Sequence, residues 1–72
     1  MDEPVKILLI EDSPEYRDVI GMAFDRDKNF ELIHTTGTAE RALNLLEQAQ
    51  SRDIPDLILL DLNLHIVQVN LQ

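Results

Sequence analysis

Three carboxylates give the chain its first chemical signal. Glu11 and Asp12 stand side by side directly after the apolar run "ILLI", and Asp61 stands directly after "LILL". Carboxylates gathered at one place repel one another and hold their protons more tightly unless a cation is present. Together with a backbone carbonyl and waters they are the ligands that suit Mg²⁺, which keeps much of its hydration shell. A carboxylate beside Mg²⁺ is also a nucleophile toward phosphorus, giving an acyl phosphate. The chain has no cysteine and only two histidines, so it does not offer the donor set that zinc prefers. The plainer alternative is that the acids face solvent at strand ends, with Asp12 helping to start a helix.

Whether these acids meet depends on the elements that carry them. "VKILLI" (5–10) is apolar on both faces, as a central parallel strand covered on both sides must be. Ser13 then caps a helix that opens with Pro14, where the missing N–H costs nothing, and Glu15 favours the helix dipole. Tyr16, Val19, Ile20, Ala23 and Phe24 recur as one buried helical face. The polar cluster 25–29 ends that helix. "FELIHTT" (30–36) reads as a second, more exposed strand. Gly37 turns the chain, and Thr38 caps a second helix with a stripe of Ala39, Ala42, Leu43, Leu46 and Ala49. "SRDIPD" is a loop, and "LILLDL" (57–62) is the third strand.

The order β-α-β-α-β predicts an α/β fold with a parallel sheet. Right-handed crossovers that cover both faces of the first strand give the sheet order 2-1-3. The expected architecture is a flavodoxin-like β-α-β-α-β unit, truncated, followed by an extra β-like tail. Its switch point lies between strands one and three, outside their carboxyl ends, where ligands bind in open α/β sheets. Glu11, Asp12 and Asp61 all fall at that rim.

Composition narrows the function classes. Six basic residues against fourteen acidic ones give a formal charge of −8, which disfavours direct nucleic-acid binding and suits cations and basic partners. The longest apolar runs have four residues, far short of a membrane span. The acidic start "MDEPVK" does not resemble a signal peptide. A cytoplasmic protein of one domain is the expectation. A domain this small buries only about 60% of the surface its unfolded chain exposes.

"KILLIEDSPEYRDVI" followed by "PDLILLDLNL" resembles the response-regulator receiver domain of two-component signalling. The resemblance runs from Val5 to Leu64, about half of a complete receiver, so residues 1–64 are expected to form a partial receiver domain and residues 65–72 a tail outside the family pattern. It implies that Asp61 is the phosphoacceptor. Asp12 would bind Mg²⁺ directly, Glu11 would act largely through water, and the backbone carbonyl of Asn63 would complete the protein's share. A histidine kinase or phosphotransfer protein would be the partner, and the chain itself would not be an enzyme.

The pattern breaks after Leu64. His65 stands where the family has proline, no glycine follows, and no Ser, Thr or Lys occurs after Asp61. The family's switch hydroxyl and its phosphate-pairing lysine are therefore missing from this chain. Lys6 begins the first strand roughly 16 Å from the acids, at about 3.3 Å per residue, and Lys28 lies toward the opposite rim. The expectation is a shortened receiver with impaired phosphorylation. The competing readings are a catalytically silent α/β interaction or dimerisation module and, less supported, a small hydrolase.

The tail raises a question of assembly. Val67, Val69 and Leu71 alternate with Gln68, Asn70 and Gln72, as in a strand. Within one chain it can lie only antiparallel to the third strand, through a turn at 63–65 that lacks glycine. Pairing between chains needs no tight turn, and an uncovered apolar third strand is a template for it. A homodimer or swapped assembly through strand three or the tail is the resulting expectation.

Overall fold

The computed structural model describes residues 3–60 and 65–69. The order along the chain is β1 (Val5–Ile10), α1 (Pro14–Asp25), β2 (Phe30–Thr36), α2 (Ala39–Gln48), a 3₁₀ turn (Ser51–Asp53), β3 (Leu57–Leu60) and β4 (His65–Gln68). The strands form one sheet in the order β2-β1-β3-β4. β1 is parallel to both neighbours, so the α/β class and the 2-1-3 order hold. β1 is also where the core sits: Ile7, Leu8 and Leu9 are buried, joined by Ala42 of α2.

The sequence's local signals act as expected. Ser13 caps α1, with Pro14 at its start, and its Oγ accepts from the Tyr16 N–H at 3.4 Å. Thr38 caps α2, and its Oγ1 accepts from the Arg41 N–H at 3.1 Å. At the amino ends of the strands, Lys6 N–H donates to Asp56 Oδ2 (2.9 Å) while Asp56 N–H donates to Lys6 O (2.8 Å). This exchange fixes the register of β3 against β1.

Both helices are rotated from the faces read in the sequence. Along α1, Arg17, Ile20, Gly21 and Phe24 are half-buried, while Tyr16, Val19 and Ala23 are exposed. The inward set is itself an i, i+3, i+4, i+7 stripe, one position away from the expected one. Two contacts select it: Arg17 is tied to the end of β1, and Gly21 brings the helix backbone close to Leu32, whose Cδ2 lies 3.7 Å from where a Cβ would stand. Along α2 the inward stripe is Ala42, Leu45, Leu46 and Ala49, leaving Ala39 and Leu43 outside. Phe24 and Phe30 do pack together, edge to face, with ring centroids 5.5 Å apart.

Between Ile7 and Leu8 the register against β2 shifts by one residue, so Ile7 pairs with Leu32 and Leu8 with His34. Neighbouring residues of β1 point to opposite faces. Leu32 therefore lies on the face of α1, and His34 on the face of α2. The helices cover opposite faces of the sheet, which is the solution that buries β1 twice.

The tail pairs within its own chain. β4 runs antiparallel to β3, with Leu60 opposite His65 and Leu57 opposite Gln68, and Val69 N–H extends the ladder to Asp56 O at 2.9 Å. The edge of β3 that was expected to be open to a second copy is thus covered by β4. Assembly through β3 would first require β4 to leave. Residues 61–64 lie outside the described residues.

Candidate metal centre at the carboxyl ends of the strands

Glu11 is the first residue beyond β1, and the structure holds it from three sides. Its N–H donates to Thr36 O at 2.9 Å, continuing the β1–β2 ladder past the strand. Its carbonyl accepts from Arg17 Nη1 at 2.7 Å. Its Oε2 accepts from the Ser13 N–H at 2.8 Å, which folds the side chain back over the start of α1. The residue is only 3% exposed, so it does not face solvent as an ordinary strand-end acid would. Asp12, next to it, is exposed.

One polar atom is left over. Glu11 Oε1 is buried and, among the described residues, has no hydrogen-bond partner. A buried acceptor without a partner costs about 1–3 kcal/mol, and more when charged. Buried charges in proteins are normally paired or coordinate metals. An unmatched carboxylate oxygen, on the residue that precedes the exposed Asp12, is the kind of donor that a hard cation with oxygen ligands, such as Mg²⁺, takes.

Arg17 is the site residue that sequence reasoning missed. Its guanidinium reaches from the first full turn of α1 back to the rim, where it lies against Gly37. A Cβ on Gly37 would come within 3.2 Å of Arg17 Nη1, so a small residue keeps this approach open. The available signal was spacing. Arg17 follows the Ser13 cap by four residues, and its N–H donates to Ser13 O at 3.0 Å, so its side chain rises on the side of the helix that overlooks the end of β1.

Asp61 and Asn63 lie outside the described residues. What is placed is Leu60, which precedes Asp61 in the chain and pairs with Ile10, which precedes Glu11. Among the described residues no group of three or more His, Asp or Glu side chains is arranged to hold a metal. Lys6 is engaged at the opposite rim, where Nζ donates to Arg52 O at 2.7 Å. Lys28 lies in the segment that follows α1, whose Asn29 carbonyl accepts from Val5 N–H at the start of β1. Neither lysine is at the acid cluster.

No family model, curated protein or solved structure matches this chain. Among the described residues, no helix is long and apolar enough to cross a membrane.

Proposed function

We propose that residues 5–64 act as the metal-binding, phosphoryl-accepting portion of a receiver domain, with Asp61 as acceptor and a histidine kinase or phosphotransfer protein as donor. The observation that carries this reading is Glu11: a carboxylate at the switch point, buried, fixed by Ser13 and Arg17, and left with one unmatched oxygen. A solvating acid at a strand end needs none of that.

In this reading Asp12, exposed at the rim, would be the direct ligand, Glu11 would supply the second negative charge and act through water, and the Asn63 carbonyl would complete the set. Bound Mg²⁺ would neutralise charge on an incoming phosphoryl group. The chain's own contribution is orientation. Arg17 and Thr36 clamp the Glu11 backbone, and the Ser13 N–H fixes its carboxylate, so Glu11 does not reorganise when charge arrives.

Incubation with a small-molecule phosphoryl donor and Mg²⁺ tests this. Mass spectrometry should show one added phosphoryl group at low occupancy, absent from Asp61→Asn and reduced in Asp12→Asn. Labelling that survives Asp61→Asn would refute the assignment, and so would no labelling of the wild type at any donor concentration.

A further inference from the structure

β2 is an outer strand of the sheet, and among the described residues no strand lies beyond it. Thr36 turns its carbonyl inward to Glu11, so by strand alternation Thr35 presents its N–H and C=O to the open side. Thr35 is exposed, and it borders two grooves at once. The groove toward α2, about 400 Å³, is lined by His34, Thr36, Arg41, Asn44 and Gln48 and contains no acid. The groove toward α1, about 480 Å³, contains Asp18 and Asp25 beside Met22 and Leu32, and also Arg17, whose Nη1 donates to the Glu11 carbonyl. In a chain of charge −8, an acid-free groove with an arginine is a local exception.

The register shift in β2 produces this division. Without it Leu32, His34 and Thr36 would share one face. With it His34 and Thr36 lie on the α2 face while Thr35 joins Leu32 on the α1 face. The same shift interrupts the edge near residue 33 and so separates residues 34–36, where both grooves lie, from residues 30–32.

We propose that this edge takes an extended peptide, added as a further strand at residues 34–36, with alternating charge. Side chains of a strand alternate faces, so the peptide residue opposite Thr35 points into the α1 groove and its two neighbours into the α2 groove. The first meets Asp18, Met22 and Asp25, two acids against the one arginine, Arg17, that is already bonded to Glu11 O, which suits a lysine with its apolar stem. The others meet Arg41 and His34, which suits acids. The recognised pattern is acidic–basic–acidic. A second copy of β2 is a poor occupant, because two-fold antiparallel pairing sets Asp18 and Asp25 of each α1 groove on the same face as those of its partner.

The test uses two blocked peptides, Val-Glu-Lys-Glu-Val and Val-Lys-Glu-Lys-Val, titrated into the ¹⁵N-labelled protein. Bulk electrostatics favours the second, since the protein is strongly acidic. Edge docking reverses that order: the first peptide gives saturable amide shifts at His34, Thr35 and Thr36, with at least tenfold tighter binding. Arg41→Glu, at an exposed position, should invert the preference. The proposal is overturned by tighter binding of the Lys-Glu-Lys peptide to the wild type, by shifts confined to β4, by no saturable shift, or by an unchanged preference in Arg41→Glu.

Discussion

Replacing Glu11 with methionine separates a metal ligand from a structural acid. Methionine fills similar space, removes the unmatched Oε1 and forfeits the bond from Ser13 N–H to Oε2. A hydrogen bond to a charged group contributes about 1.5–3 kcal/mol, and an unmatched buried acceptor costs about 1–3 kcal/mol. The two nearly cancel, so Glu11→Met without divalent cations should stay within about 1.5 kcal/mol of the wild type. With Mg²⁺ at ten times its dissociation constant, the wild type should gain about 1.4 kcal/mol by mass action. For a chain this short that is a rise of roughly 6–11 °C in midpoint, and Glu11→Met should lose most of it. Thermal unfolding followed by circular dichroism, with EDTA and then with Mg²⁺, reads both quantities. A loss of 3 kcal/mol or more in EDTA would show that Glu11 is held for stability. Equal Mg²⁺ stabilisation of both proteins would remove it from the metal site.

The remaining predictions bear on the scaffold. Val69→Pro removes the N–H that donates to Asp56 O, so urea unfolding should report a loss of about 1–3 kcal/mol. Thr38→Ala should cost about 1 kcal/mol and Ser13→Ala less, because the cap bond of Ser13 is longer, 3.4 against 3.1 Å. Leu8→Ala, at a fully buried site, should cost about 2–5 kcal/mol, whereas Leu43→Ala, 59% exposed, should stay within about 0.5 kcal/mol. Equal costs for the two leucines would contradict the core described above.

Strand positions were legible because β1 and β2 are bounded by sharp changes of composition, and because only one right-handed arrangement covers β1 on both faces. The N-caps were legible because Ser13–Pro14 and Thr38 carry local chemistry. The inward faces of the helices were not. Tyr16 and Val19 look buried by hydrophobicity, but the seat of α1 is chosen by the Arg17–Glu11 bond and the close approach of Gly21 to Leu32, contacts between the helix and the sheet that hydrophobic spacing within the helix does not show. The one-residue shift in β2 leaves no compositional mark either, though it decides which groove His34 and Thr35 line. The acid pair was read from its position after β1. That Glu11 is buried and Asp12 exposed follows from the backbone bond to Ser13, which spacing does not reveal. The β3–β4 pairing was weighed and set behind pairing between chains because the turn lacks glycine, a local criterion that the ladder from Asp56 to Val69 outweighs.

The central claim is that the carboxyl end of β1 holds a divalent cation. The most direct measurement is a Mg²⁺ titration of the ¹⁵N-labelled protein, with wild type and Asp12→Asn side by side. The account predicts saturable shifts centred on the amides of Glu11, Asp12, Ser13 and Asp61, reduced at least tenfold in affinity by Asp12→Asn. Shifts that do not saturate, or that are the same in Asp12→Asn, would contradict it.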